Sequence, residues 1–217
     1  MKINHEMTHL NLPICRNQIA AYILAGGKSQ RFCGQTKALQ MLNGKTLINH
    51  VIDRLKTQID SLHINSHLTG FELYKLPIIS DDSDNLFNGP LSGLLACMQH
   101  MQTQLPEKDW LLITPCDAPC LPADLVACLC ENITNHSAAC MSYENHLQPT
   151  FSIWHKSFFT EIDEAVNKKN WSGLKILIQH LKNQVKIVHY PLQTINPFLN
   201  INTKEDLIHA ELLLQTS

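Results

Sequence analysis

Ala21-Tyr22-Ile23-Leu24-Ala25-Gly26-Gly27-Lys28-Ser29-Gln30-Arg31-Phe32-Cys33-Gly34-Gln35-Thr36-Lys37 is the stretch on which the fold turns. It starts inside an apolar run, Ile19 to Ala25, suited to a strand buried on both faces of a parallel sheet. The run stops at Gly26 and Gly27, which admit backbone angles that a Cβ penalises and let a ligand approach the main chain. Successive backbone N–H groups in such a loop can wrap an anion, and Lys28, Arg31 and Lys37 set positive charge around it. Two familiar phosphate loops are excluded by spacing. A Walker loop needs glycine where Tyr22 stands, and a dinucleotide fingerprint needs G-x-G where the glycines here are adjacent. A plain strand-to-helix turn would share the glycines, but the basic residues at fixed offsets favour a bound polyphosphate.

Outward from this loop, the composition narrows the choices. The 217 residues suffice for one α/β domain with a substantial core. A hydrophobic content of 44% and a charged content of 17% are those of a globular protein in water. The net charge of −2 gives no general attraction to nucleic acid or to an anionic membrane, so neither is expected as a partner. No apolar run approaches the roughly 20 residues that span a bilayer. Residues 1–18 read as an N-terminal extension without the pattern of an export signal, and 19–217 as a single domain in the cytoplasm. The eight cysteines contain no C-x-x-C pair and are expected as free thiols packed like small apolar residues. The twelve histidines show no ligand spacing and are expected at the surface.

Along the chain, Leu47, Ile48, Val51, Ile52, Leu55 and Ile59 predict an amphipathic helix over about 46–58. Strands follow at 61–65 and 76–79, and the first strand, this helix and the second strand make a right-handed parallel βαβ unit. Asn88-Gly89-Pro90-Leu91-Ser92-Gly93 turns into a helix whose core face is Leu91, Leu94, Leu95, Met98 and Met101. Further strands are predicted at 110–114, 138–143, 148–154 and 185–190, with helices at 121–129, 156–168 and 173–182. Thr203-Lys204-Glu205-Asp206 is a capping box for a last helix. The expectation is one three-layer α/β/α domain, Rossmann-like, with a mostly parallel central sheet.

Carboxylates stand where such sheets expose ligand-binding residues. Asp117 follows the strand at 110–114 between Pro115 and Pro119, and a hard carboxylate there suits Mg²⁺ shared with phosphate oxygens. Asp81, Asp82 and Asp84 follow the strand at 76–79, where a solvated acidic turn is the alternative. Gly89, Pro90 and Gly93 open a helix, a place that favours anions and close ligand approach. No nucleophile triad occurs. Direct transfer between a phosphate and a nucleotide needs none, only charge clamping, a metal and alignment.

These motifs together resemble the molybdenum cofactor guanylyltransferase family (MobA), nucleotidyltransferases of the nucleotide-diphospho-sugar transferase fold type. The resemblance runs through Leu24, Ala25, Gly26, Gly27, Ser29, Arg31, Gly34 and Lys37. It continues in family order through Asn65, Asp82, Gly89 to Gly93, Pro115-Cys116-Asp117-x-Pro119, Pro149 and Asn200-x-Asn202-Thr203. It implies a guanine nucleotide on Leu24, Ala25, Gly26, Gly27, Lys37, Asn65, Asp82 and Asp117, with Mg²⁺ on Asp117. It implies Arg31, Lys37 and Asp117 as the catalytic charges. It also sets Gly89, Pro90, Gly93, Asn200 and Asn202 on the side of the acceptor. The implied reaction moves GMP from GTP to the phosphate of Mo-molybdopterin, releasing pyrophosphate. Other cofactor-biosynthesis proteins and molybdoenzyme chaperones are the implied protein partners.

Two positions depart from the family pattern. Phe32-Cys33 stands where Met-Gly is usual, and Thr36 stands where an aspartate usually precedes the lysine. Cys33 adds a thiol near the nucleotide, open to oxidation. Two other readings follow from these departures and from Arg31-Phe32: a sister enzyme using CTP or loading another phosphate acceptor, and a relative that binds nucleotide without turnover.

Overall fold

The computed structural model describes residues 14–26, 36–80, 89–133 and 136–215. Strand β1 (Ile19–Leu24) is buried on both faces, as its uninterrupted apolar run requires. After a 3-10 turn at Lys37–Leu39, β2 (Met41–Leu42) and β3 (Lys45–Thr46) form a small antiparallel hairpin. Its turn is Asn43-Gly44, both at positive φ (48° and 80°), the pair that a two-residue hairpin favours. Helix α1 (Leu47–Lys56) is capped by Thr46, whose hydroxyl accepts from the Asn49 N–H at 3.3 Å. Next come β4 (Ser61–Asn65), β5 (Ile78–Ile79), α2 (Pro90–Gln104) and β6 (Trp110–Pro115). The second half holds α3 (Leu125–Glu131), β7 (Ala138–Tyr143), β8 (His146–His155), α4 (Phe159–Asp163), α5 (Leu174–Leu181), β9 (Val185–His189) and α6 (Lys204–Gln215).

Seven strands make the main sheet in the order β5-β4-β1-β6-β8-β7-β9. All run parallel except β8, which is antiparallel to both β6 and β7. Helices α2, α4 and α5 pack on one face, around Leu94, Met98, Trp154, Ile162 and Leu177. Helices α1 and α3 cover the other, around Ile48, Val51, Leu55, Leu125 and Leu129. A smaller cluster of Leu42, Leu47, Ile201 and Ala210 seats α6 against the β2–β3 hairpin and the start of α1. The three-layer, mostly parallel α/β expectation holds.

The differences from the sequence reading have local causes. The strand expected at 76–79 shrinks to Ile78–Ile79, because Pro77 has no N–H and serves only as an acceptor, for Ile64 N at 2.9 Å. The helix expected from 121 begins at Leu125, after Pro122 and a turn have used the preceding residues. The helix expected over 156–168 is divided into a 3-10 turn, α4 and a π turn at Glu164–Lys168. The surface expectation for the histidines fails at His63, 6% exposed and stacked on Tyr22 with ring centroids 4.9 Å apart.

Connections set the position of the site. From β1 the chain moves through α1 to β4 on one side; from β6 it moves through α3 towards β7 on the other. The strand order therefore reverses between the neighbours β1 and β6, and sheets of this kind bind ligands beyond the carboxyl ends of the strands at such a reversal. Ala25-Gly26 and Cys116-Asp117 lie there.

Candidate active site

Asp117 follows β6, and its backbone is held on both sides. The Cys116 N–H donates to the Leu24 carbonyl at 3.2 Å, and the Asp117 carbonyl accepts from Ile201 N at 2.9 Å. The carboxylate meets the ammonium of Lys37, which heads the 3-10 turn at the end of the glycine-rich loop. Lys37 Nζ also donates to Asn202 Oδ1 at 2.7 Å. Three segments far apart in sequence thus meet at one ammonium. The pair is largely buried, with side chains 17% and 14% exposed for Lys37 and Asp117, so each charge depends on the other.

Asn202 is itself restrained by the start of α6. The Asp206 carboxylate accepts from the N–H groups of Asn202 (2.8 Å) and Thr203 (2.9 Å), and the Thr203 hydroxyl accepts from Asp206 N at 3.1 Å. This is the expected capping box, with Asp206 as its acid. Burial works to raise the Asp206 carboxyl, but the bonds from Asn202 and Thr203 and the charge of Lys37 outweigh it and hold it below the usual range. The Asn202 amide donates to the Asn200 carbonyl at 3.2 Å, while Asn200 Oδ1 is buried without a hydrogen-bond partner among the described residues.

On the other side of β1, Ala25 N donates to the Asn65 carbonyl at 2.8 Å and the Ser66 hydroxyl to the Ala25 carbonyl at 3.3 Å. Asn65, 1% exposed, donates from Nδ2 to the Ile79 carbonyl at 3.4 Å. Gly93, in the first turns of α2, lets the helix settle here: a Cβ would lie 3.0 Å from Asn65 Oδ1 and 3.3 Å from Leu24 Cδ2. Gly89 meets protein, since a Cβ there would fall 2.4 Å from the Ser172 carbonyl oxygen. That carbonyl accepts from Leu91 N at 3.3 Å, and the Gly89 carbonyl accepts from Ser92 and Gly93. With Pro90 lacking an N–H, the first-turn donors of α2 are engaged within the protein.

Leu24, Ala25, Gly26, Asn65, Lys37, Asp117, Asn202, Asn200, Gly89, Pro90 and Gly93 are thus arrayed along or beside one edge of the sheet. Gly27, Arg31 and Asp82, with Asp81, Asp84 and Cys33, lie outside the described residues.

Residues 21–185 match the MobA-like NTP transferase domain. The chain belongs to that family. Among its relatives, the molybdenum cofactor guanylyltransferase of Rhodopseudomonas palustris (strain HaA2) is 35% identical over 195 residues, covering 88% of this chain and 90% of that protein. The enzyme of the same name from Yersinia pestis (strain Pestoides F) is 40% identical over 147 residues, covering 66% and 72%. The molybdopterin-guanine dinucleotide biosynthesis protein A of Archaeoglobus fulgidus superposes with a TM-score of 0.70 at 19% identity, over 91% of this chain and 100% of that one. The 4-diphosphocytidyl-2C-methyl-D-erythritol synthase of Anaerococcus prevotii superposes with a TM-score of 0.68 at 14% identity, over 91% and 96%.

In this MobA-like NTP transferase, three contributors to the site had escaped the sequence reading. The functional side of Asp206 was hidden in a capping signal, and Ser66 had no signal at all. Ser172 is joined to Gly89 only by the fold. Beside Asp117, the thiol of Cys116 is pushed far above the ordinary range by burial and then by the neighbouring carboxylate. Among the described residues no three His, Cys, Asp or Glu side chains gather into a metal cluster, and no helix is long and apolar enough to cross a membrane.

Proposed function

We propose that the protein transfers GMP from GTP to the phosphate of Mo-molybdopterin, forming the guanine dinucleotide cofactor and pyrophosphate. The observation that carries this reading is the meeting of Lys37, Asp117 and Asn202 at the β1/β6 switch point. The names of the relatives over nearly nine-tenths of the chain supply the choice of GTP and acceptor. Leu24, Ala25, Gly26 and Asn65 would hold the nucleotide along the ends of β1 and β4, together with Gly27 and Asp82. Lys37 and Arg31 would meet phosphate charge. Asn200 and Asn202 would face the acceptor from one side of β1, and Gly89, Pro90 and Gly93 from the other.

Mg²⁺ fits the donor chemistry. It is characteristically held by one or two carboxylates with phosphate and water, not by an all-protein cage. Asp117 offers a carboxylate, and the unsatisfied Asn200 Oδ1 adds a second hard oxygen to the segment bonded to Asp117. A bound Mg²⁺ would neutralise charge on the triphosphate as pyrophosphate leaves. The protein's own part is to align the acceptor oxygen and the α-phosphorus, and to keep Lys37 held by Asn202 where negative charge grows.

Pyrophosphate release with GTP, Mg²⁺ and Mo-molybdopterin tests the reading. The parent should release it with GTP and not with CTP, and Asp117→Ala should release none. Release with CTP alone would move the protein to a cytidylyl activity. Nucleotide binding without release would leave a binding protein.

A further inference from the structure

A groove of about 600 Å³ opens at the carboxyl ends of β7 and β9, lined by Ser142, Glu144, Asn145, His189, Tyr190 and Leu192. That volume lies within the range of small-molecule sites. Its floor is firmly built. Tyr190 N donates to the Ser142 carbonyl at 2.9 Å, and the Tyr190 hydroxyl donates to Asp124 Oδ1 at 2.8 Å. Phe198 meets the rings of Tyr190, Tyr143 and Phe151 at 4.9–5.6 Å. The Tyr143 hydroxyl both donates to the Gln193 carbonyl and accepts from Gln193 N, pinning the segment that follows Leu192.

The rim has two features that stability does not ask for. Leu192 is 73% exposed. Glu144 and Asn145 form the β7–β8 turn at φ 48° and 62°, where glycine in the second place would be easier. A glutamate held at positive φ is uncommon, and such strain collects at ligand sites.

The groove shares an edge with the nucleotide site. Strands β6 and β7 run in the same direction with β8 between them, so their carboxyl ends lie about 10 Å apart, two strand spacings. That offset is comparable to the length of a fused three-ring pterin with its phosphomethyl arm. The segment pinned at Gln193 runs on to Ile201, whose N–H is bonded to Asp117.

Resting on the guanylyltransferase reading, we propose that this groove receives the pterin of the acceptor, with Glu144 binding its pyrimidine edge. A 2-amino-4-oxopyrimidine presents an amino N–H and a ring N–H side by side, a pair that one carboxylate accepts with both oxygens. The flat ring faces suit Tyr190 and Leu192. With its phosphate at the Lys37 ammonium beside Asp117 and its pyrimidine at Glu144, the acceptor spans the end of β8.

The test uses 6-hydroxymethylpterin, which is fluorescent and carries neither phosphate nor metal, titrated into the full chain. The parent should quench it saturably. Glu144→Gln and Leu192→Asp should each weaken binding about tenfold. Glu144→Asp should keep part of it, and GTP binding by calorimetry should be unchanged throughout. No saturable binding by the parent, or equal binding by Glu144→Gln, overturns the groove. Pyrophosphate release separates this from the parent reading. A protein that turns over GTP and acceptor but fails the pterin assay keeps its activity and loses the groove. One that binds pterin through Glu144 without turnover keeps the groove and loses the transferase.

Discussion

Lys37 holds two partners at once, and removing it exposes how each depends on it. With Asp117 only 14% exposed, Lys37→Met leaves a buried carboxylate uncompensated and should destabilise the fold by about 3 kcal/mol in urea unfolding. Asp117→Asn should cost a similar amount, and the double variant less than the sum, because the two losses are one interaction. Divalent binding should move the other way. Followed by Mn²⁺ resonance without nucleotide, Lys37→Met should bind the ion more tightly than the parent, and weaker binding would count against Asp117 as the metal ligand. His63 sets a second residue-level behaviour. Burial, then the neighbouring His100 ring, push its pKa down to about 4 from the ordinary 6.5, with Lys108 adding to the effect and Tyr22 stacked alongside. The neutral ring is the folded form, so this contribution is intact above pH 6.5 and is lost as pH falls towards 4, on the order of 2–3 kcal/mol. His63→Gln should flatten that part of the urea midpoint against pH. An unchanged slope would place the acid sensitivity elsewhere.

Helix α2 and the strands beneath it show which parts of an element were readable. The apolar face from Leu91 to Met101 and the parallel pairing of β1, β4 and β6 follow from periodicity and crossover handedness, and the structure has them. The glycines opening α2 were readable as a close approach but not as an approach to what. Gly89 abuts the backbone of Ser172, whereas Gly93 faces the side chains of Asn65 and Leu24. Gly89→Ala should therefore be the more damaging: its Cβ meets a carbonyl that cannot swing away, and about 1–3 kcal/mol should be lost in thermal unfolding. Gly93→Ala should cost less stability, with its larger effect on nucleotide affinity through displacement of Asn65. A pattern with the two reversed would mean that α2 is seated differently. The late start of α3 lay in Pro122 and the turn after it, whereas the π turn after α4 breaks a stretch whose local propensity is for plain α-helix.

At the scale of the molecule, the sheet order set the reversal between β1 and β6, and that much follows from strand and helix alternation. The sheet does not select the base: relatives in fold named for guanine and for cytidine chemistry superpose about equally well. The amide of Asn202 was legible only through family resemblance, because its partner Lys37 lies 165 residues earlier and no local pattern links them. Ile201, fully buried between α6 and the β2–β3 hairpin, keeps that late segment in place. Ile201→Ala should cost about 2–4 kcal/mol and lower turnover beyond what the stability loss explains, read by comparing rates well below the unfolding temperature. The long separation also has a bearing on synthesis. While the chain is being made, Lys37 and Asp117 leave the ribosome well before the residue that steadies them. An incomplete copy ending after Asp117 and short of Asn202 carries the charges of the site without that clamp, so a translation product cut short there is denied the finished centre.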